Sequence, residues 1–530
     1  MRTQTLLVLA TCLLAASCVV LATQPQLQTY PLTVSSISGL FTGVYQNQTR
    51  AFLGVPYAQA PVGNLRFRPP QPIWYNWGMT YATQNPPSCY QSGLPATYNM
   101  SEDCLYMNIF TPKYVSQDDD QFFSRLPVMV FIHGGRYWTG AATDFDGSLI
   151  APVGDVISVV IQYRLNIFGF QSFDSNTNLG LQDQQAALSW IQKNIRAFGG
   201  DPNRVTIYGE SAGGSSVLHH LTIPQSYHLY DRAIIQSSWQ WYIPTATTSR
   251  DKTVAYAATK GCNITNSNGT PNVNGVLECM RALPARNITP SAAQSDFFVP
   301  MVDGRLIDTL PLTALKNGQY NKHAEVIIGH NYDEGNFMAY SRLGFVGPTA
   351  NVTETKLNDT IAKYLKVYFA QSDVDNILSW YVPSVASSNW YGGAEFFGDY
   401  YITCGSILAT EYFNRDNINF NSYIFNYSSP NYPASQPYLA ASHGNELPYI
   451  FFRDVYTPYP FSTGDYFMAS RMNRAWTDFA ANGSPVSYLS QWPSTYPNAM
   501  YYGPDPTDLD AQVPYLKTIC ENWRPYFLAY

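Results

Sequence analysis

The tightest constraint on this chain is five residues long. Gly209-Glu210-Ser211-Ala212-Gly213 follows the β-branched run Val205-Thr206-Ile207-Tyr208 and leads into Gly214, Ser215, Ser216, Val217 and Leu218, which pattern as a helix. A serine flanked by glycines where a strand turns into a helix fits a bend too sharp for neighbouring side chains. It also sets the hydroxyl at the positive end of a helix, where a developing anion is favoured. The pattern predicts a nucleophilic Ser211 above the carboxyl edge of a sheet.

The rest of the chain supplies that sheet. Short apolar runs at Val128 to Ile132, Val156 to Gln162, Val205 to Tyr208, Ala233 to Gln236, Val326 to Ile328 and Ser422 to Phe425 alternate with longer helical patterns. Strands that read as continuous apolar runs are buried on both faces, so the expected class is α/β, a mostly parallel central sheet with helices on both faces. Helical periodicity is clearest from Leu181 to Ala197, after Ser211, and from Tyr466 to Ala481, where Gly483 and Pro485 stop it. No internal repeat appears and no composition break marks a linker, which predicts one large domain over residues 23–530. The acidic patch Asp118 to Asp120 reads as a solvated connection between strands.

Composition narrows the partners. Of 530 residues only 13% are charged, Lys+Arg 30 against Asp+Glu 37 leaves a net charge of −7, and no long run of one sign occurs. Nucleic acid and anionic membrane surfaces are therefore not expected partners. Arg2 precedes an apolar run from Leu6 to about Val20, and Val20 with Ala22 form a small-residue cleavage site, so residues 1–22 read as a signal peptide. The apolar core is shorter than the roughly 20 residues that span a bilayer, and no later stretch looks transmembrane.

Export fits the cysteines. Cys12 and Cys18 leave with the leader, and six remain: Cys89, Cys104, Cys262, Cys279, Cys404 and Cys520. The close pairs Cys89 with Cys104 and Cys262 with Cys279 leave Cys404 to bridge Cys520. Metal binding is the weaker reading, because no C-x-x-C spacing occurs and histidines do not cluster with cysteines. Glycosylation sequons stand at Asn47, Asn99, Asn263, Asn268, Asn287, Asn351, Asn358 and Asn426; a ninth, at Asn482, is disfavoured by Pro485 directly after it. The C-terminus carries neither a retention tetrapeptide nor an anchor-attachment tail. The expected destination is extracellular, or the lumen of a secretory vesicle.

An acyl-transfer site needs donors for an oxyanion and a base for the serine. The strand candidate Val128 to Ile132 runs into His133-Gly134-Gly135, whose bare backbone can point N–H groups at a substrate, so Gly134, Gly135 and the N–H of Ala212 are the candidate donors. Seven histidines compete for the base. His133 belongs to the glycine loop, His219 and His220 lie two turns down the helix after Ser211, His228 and His323 sit in polar connections, and His330 ends a strand. His443, in the late loop Ala441-Ser442-His443-Gly444-Asn445-Glu446, is left in the chain order serine, acid, histidine. The acid is Asp333 or Glu334, between which spacing does not choose.

A family resemblance sharpens this. Phe198-Gly199-Gly200-Asp201-Pro202-Asn203-Arg204-Val205-Thr206-Ile207-Tyr208-Gly209-Glu210-Ser211-Ala212-Gly213 and Ser101-Glu102-Asp103-Cys104-Leu105-Tyr106-Met107-Asn108-Ile109 closely resemble the two signatures of the type-B carboxylesterase family, which includes cholinesterases and bile-salt-type lipases. Similarity runs from about Val34 to Trp523, with Phe52 to Ala58 and Phe67-Arg68-Pro69-Pro70 also in family form. The resemblance implies the α/β-hydrolase fold, esterase activity, a glutamate as triad acid at Glu334, and the three cysteine pairs. Ser237 and Glu446 resemble the family's buried polar pair beside the triad, with Glu210 of the elbow expected next to them.

Leader, site residues and resemblance together imply a secreted serine carboxylesterase acting on small-molecule or lipid esters through Ser211, Glu334 and His443, by way of an acyl-enzyme and, since donors and triad supply nucleophile, base and anion stabilisation, without metal or organic cofactor. The competing readings are a neutral-lipid lipase, which needs a mobile apolar lid, and an adhesion or storage protein that keeps the fold. Cholinesterases carry a tryptophan for choline in a long first disulfide loop, whereas Cys89 to Cys104 encloses Tyr90 and Tyr98 but no tryptophan, which argues against cation–π binding of a quaternary ammonium there. Ser295-Asp296-Phe297-Phe298-Val299-Pro300 resembles the acyl-pocket wall with a charge added at Asp296, and Trp239 is placed to narrow that pocket. Neither oligomeric state nor the natural ester is legible at this level.

Overall fold

A computed structural model describes residues 27–29, 31–73, 76–92, 99–116, 125–239, 241–291, 294, 297–381, 388–452, 459–493, 495–509 and 511–528. The leader at 1–22, Asp118 to Asp120, Tyr98, Ser295 and Asp296 lie outside these.

The frame is an eleven-stranded sheet. In chain order its strands are β1 (Val44–Gln46), β2 (Thr49–Pro56), β3 (Tyr106–Pro112), β4 (Leu126–Ile132), β5 (Ile157–Ile161), β6 (Gly200–Glu210), β7 (Arg232–Gln236), β8 (Glu325–Asn331), β9 (Phe420–Phe425), β10 (Asn498–Tyr502) and β11 (Gln512–Pro514). Their spatial order is β11-β10-β9-β8-β7-β6-β4-β5-β3-β2-β1. From β5 across to β10 every pairing is parallel, while β3, β2 and β1 on one margin and β11 on the other run antiparallel. This is the α/β sheet expected from the apolar runs, and all six strand candidates lie in it.

The helices used below are α1 (Leu179–Asn194), α2 (Ala212–Thr222), α3 (Asn336–Arg342), α4 (Asn389–Gly398), α5 (Cys404–Arg415), α6 (Thr463–Asn482) and α7 (Ile519–Phe527). The two-residue alternation of β4 divides the core: Val128, Val130 and Ile132 meet Leu188, Ile191, Val217 and Leu218 from α1 and α2. Met129 and Phe131 face the other way, toward Met472, Trp476 and Phe479 of α6. Helix α6 begins at a capping box, with Ser462 Oγ accepting from the Asp465 N–H and Asp465 accepting from the Ser462 N–H, and ends at Gly483 with φ of 79°. It therefore starts three residues before its apolar pattern does.

The marginal strands β2 and β3 read less plainly in the sequence because polar side chains, Thr49, Arg50, Asn108 and Thr111, are buried among their apolar ones. In β2 the fully buried Arg50 donates to Thr111 Oγ1 at 3.1 and 2.7 Å and to the Phe198 carbonyl at 3.2 Å. A satisfied buried arginine looks, in sequence, like a surface residue.

Three disulfides close, Cys89–Cys104, Cys262–Cys279 and Cys404–Cys520, as the spacing predicted. The sequon asparagines Asn47, Asn99, Asn263, Asn268, Asn287, Asn351 and Asn482 are exposed; Asn358 and Asn426 are half-buried. The Asn426 Nδ2, the atom a glycan would occupy, donates to the Tyr501 hydroxyl at 2.5 Å. Among the described residues no helix is long and apolar enough to cross a membrane.

Cys404–Cys520 staples α7 to the start of α5 across 116 residues of sequence. Replacing both cysteines with alanine is expected to cost about 2–4 kcal/mol. Calorimetry should show a lower melting temperature, and limited proteolysis should cut first near α7; an unchanged melting curve contradicts the assigned role.

Candidate active site

The elbow is built from close backbone approaches. A side chain at Gly213 would put its first carbon 1.9 Å from the Ile132 carbonyl oxygen, and one at Gly209 would lie 2.6 Å from that same oxygen. Only glycine lets β6 bend into α2 against the end of β4. Ser211 itself takes φ 60° and ψ −123°, a conformation that costs a non-glycine residue about 1–3 kcal/mol. Its N–H donates to the Gln236 carbonyl at 3.0 Å, and its own carbonyl accepts from Ser215 and Trp239 at 2.9 and 3.2 Å. These bonds hold the strained turn.

From the elbow a hydrogen-bonded chain runs inward. His443 Nδ1 lies 2.6 Å from Glu334 Oε2, and Nε2 lies 2.8 Å from Ser211 Oγ. A carboxylate offers no proton, so Nδ1 carries the hydrogen and donates to Glu334, and in the neutral ring Nε2 is left to accept from the serine hydroxyl. Of the two candidate acids, it is Glu334 that meets the imidazole. It is buried, whereas Asp333 is part-exposed and its N–H donates to the Ala441 carbonyl at 3.1 Å. Glu334 Oε1 also accepts from Ser237 Oγ at 2.5 Å and from the Asn331 N–H at 2.7 Å.

Behind this chain lies a second carboxylate. Glu446 accepts from Gln236 Nε2 at 3.1 Å and Asn331 Nδ2 at 2.7 Å, while Gln236 Oε1 accepts from the Trp476 indole of α6 at 3.2 Å. Sequence reasoning placed Ser237, Glu446 and Glu210 here and missed Gln236 and Asn331. The available signal was a polar side chain at the carboxyl end of each of two otherwise apolar strands, β7 and β8.

The glycine loop after β4 seats on the elbow. A carbon added at Gly134 would lie 2.8 Å from the Glu210 carbonyl oxygen and 3.1 Å from Ser211 Cβ, and Gly135 follows with φ of 100°. Ala212 opens α2, so its N–H belongs to the first-turn donors that lack an intrahelical partner. Gly134, Gly135 and Ala212 are thus brought together around Ser211. Trp239 lines the same site, its ring 5.9 Å from that of His443 and stacked on Tyr401 at 4.2 Å.

The other histidines are held elsewhere. His133 Nδ1–H donates to the Gly134 carbonyl at 2.9 Å, and burial pushes its imidazole down to about 4. Burial likewise lowers His219 and His220, the latter bonded to Ser226 and Gln184. His330 donates to the Asn331 carbonyl at 2.8 Å, and His228 and His323 are exposed.

Around His443 the electrostatics run the other way. Burial alone would depress its imidazole, but the Glu210 and Glu334 carboxylates outweigh that and push it up to about 9. Glu210 Oε1 stands 3.3 Å from Nε2. Burial, with Glu446 and Glu334 nearby, pushes Glu210 up to about 8 against the pull of His443. Burial would raise Glu334 too, yet the charge and hydrogen bond of His443 hold it below the ordinary range. Such an array can present an oriented hydroxyl to a base that a buried carboxylate steadies.

Removing the Glu210 charge removes an anion that favours the protonated imidazole. In Glu210→Gln the His443 ring, followed by NMR of histidine-labelled protein, is therefore expected to titrate about one pH unit lower than in the native protein. An unmoved or raised titration would contradict this account of the field.

Comparison with known proteins agrees with the geometry. Residues 28–510 match the model of the carboxylesterase family. A cholinesterase of Mus musculus is 31% identical over 532 residues, covering 93% of this chain and 85% of its own. The pyrethroid hydrolase Ces2e of Rattus norvegicus is 32% identical, covering 86% and 82%, and an acylcarnitine hydrolase of the same species 33%, covering 83% and 81%.

Proposed function

Because the chain belongs to the carboxylesterase family of ester hydrolases, we propose that it is a secreted serine carboxylesterase whose catalytic residues are Ser211, His443 and Glu334. The observation that carries this reading is the unbroken hydrogen-bonded chain from Ser211 Oγ through His443 to Glu334.

Ser211 Oγ attacks the ester carbonyl carbon as His443 Nε2 takes the hydroxyl proton. Glu334 keeps the other ring nitrogen protonated and stabilises the imidazolium that forms. Negative charge on the carbonyl oxygen is met by the N–H groups of Gly134, Gly135 and Ala212. Collapse expels the alcohol, which receives the proton from His443. Water, deprotonated by the same imidazole, then attacks the acyl-enzyme and releases the acid. Each step uses side chains and backbone of this chain alone.

Secretion rests on the leader-like residues 1–22 and on three disulfides, which persist in oxidising compartments. The relatives' names span choline esters, pyrethroids and acylcarnitines, so the family alone does not choose a substrate.

Purified protein mixed rapidly with short and long acyl nitrophenyl esters is expected to release a stoichiometric burst of nitrophenol followed by steady turnover. Ser211→Ala, folded by its melting curve, should lose the burst and at least about 10⁴-fold in kcat. Turnover surviving in the pure variant would overturn the assignment. A preference for long chains over short would move the reading from esterase toward lipase.

A further inference from the structure

At the end of the sheet remote from Ser211 lies a cleft of different chemistry. Strand β9 is paired with β8 from Phe420 to Phe425, but with β10 only from Tyr423 onward. The stretch Phe420 to Ser422 therefore has a partner strand on one side alone, and a strand edge without a partner offers backbone donors and acceptors. Ser211, Glu334 and His443 stand beyond the carboxyl ends of the parallel strands, whereas this opening lies at the amino ends of β9 and β10. Its volume is about 440 Å³, within the roughly 300–1,000 Å³ of small-ligand clefts.

The lining is polar yet uncharged. Asn414, Asn419, Asn421 and Asn498 line it, and among the described residues no Asp, Glu, Lys, Arg or His side chain does. Asn419 Nδ2 donates to Glu325 behind the wall at 3.1 Å, and that carboxylate is itself ion-paired with Arg232 at 2.5 Å. The side-chain amides of Asn414, Asn421 and Asn498 have no partner among the described residues. Ser422, also in the wall, is buried, and its hydroxyl is likewise without one. A buried hydroxyl left unpaired costs free energy that a ligand's hydroxyl would offset. The apolar part is aromatic: Phe420 pairs with Tyr496 at 6.2 Å, and Trp492 is held by Tyr423, Trp476 and Tyr502 at 6.5, 6.2 and 6.2 Å.

Each class of ligand makes its own demand on such a wall. A phosphate, carboxylate or ammonium group needs a countercharge, and none lines the cleft. A hydrocarbon chain would leave the amides and Ser422 dry and unpaired. A sugar hydroxyl both donates and accepts, as primary amides and serine do, and the C–H faces of a sugar ring rest on aromatic faces, which carry negative charge density.

We infer that this cleft binds a neutral carbohydrate. It shares no residue with the catalytic site, so the inference is independent of the hydrolase reading. Such a ligand has two sources. Asn482 is exposed and directly precedes Gly483 and Ser484 of the cleft wall, so a glycan on that sequon would begin at the rim; the other source is a saccharide from outside.

Saturation-transfer NMR on the native protein and on Asn482→Gln tests this with four neutral sugars, N,N′-diacetylchitobiose, maltose, lactose and methyl α-mannoside, and with galacturonate as the charged comparison. At least one neutral sugar is expected to bind, and more tightly than galacturonate. Binding to the native protein assigns an outside saccharide, whereas binding that emerges only in Asn482→Gln assigns the chain's own glycan. Asn421→Ala and Asn498→Ala, at part-exposed positions where loss of an amide leaves folding intact, should each weaken binding about fivefold, the worth of one neutral hydrogen bond. The nitrophenol burst at Ser211 should stay unchanged in both. Failure of every neutral sugar to bind either protein, tighter binding of galacturonate, or binding unaltered in both alanine variants overturns the inference.

Discussion

The buried carboxylate of Glu334 is the group on which the geometry of the site depends. An isolated carboxylate in a protein interior is untenable, so every donor around it is under strong pressure to stay. Those donors come from three places in the chain: the Asn331 N–H at the end of β8, Ser237 just beyond β7, and His443 in the loop after β9. One anion therefore draws together two adjacent strand ends and a distant loop. Ser237 accepts φ of 46° to reach it, its N–H held by the Gly329 carbonyl at 2.8 Å. The strain is local, and the network that imposes it is shared.

Three carboxylates crowd one imidazole, and their environments drive them apart. Glu334 receives a hydrogen bond from a group that becomes positively charged, which holds it ionised. Glu446 receives its side-chain donors from neutral amides, and burial together with Glu334 pushes it up to about 7. Glu210 is pushed up to about 8. Burial thus works against charge on Glu446 and Glu210, while the imidazole favours it on Glu334, the one carboxylate bonded to Nδ1. Separation of neighbouring titratable groups by environment is how a site assigns one acid to one role.

Much of this was legible in the sequence, for physical reasons that differ by element. The central strands were plain because a strand buried on both faces cannot hide its apolar run, and the elbow was plain because its bend excludes side chains at 209 and 213. His443 was reached by elimination among seven histidines, and in the structure His133, His219 and His220 are buried away from the Ser211 hydroxyl's partner His443. The choice between Asp333 and Glu334 was not legible from spacing, since neighbours on a turn point in opposite directions; the family resemblance chose, and the geometry agrees. Arg50, Gln236 and Asn331 were missed because a polar residue satisfied by tertiary hydrogen bonds carries no local signature.

Ser211 and the proposed oxyanion donors are registered by backbone rather than by side chains. In the parallel pairing of β4 with β6, Ile132, the last residue of β4, stands opposite Gly209, one residue before β6 ends. The Ile132 carbonyl is the group that bars a side chain at both Gly209 and Gly213, and the next residue, His133, begins the glycine loop. The contact that forces the elbow to bend thus also sets the distance from the elbow to Gly134 and Gly135. Side chains relax by rotating about their bonds, but two backbones in contact move only if the sheet moves. The proposed oxyanion donors are therefore held relative to Ser211 by the same hydrogen-bonded ladder that stabilises the fold, before any substrate arrives. Preorganisation of this kind is what an oxyanion site requires, since donors that had to reorient during the reaction would return part of their advantage as reorganisation energy.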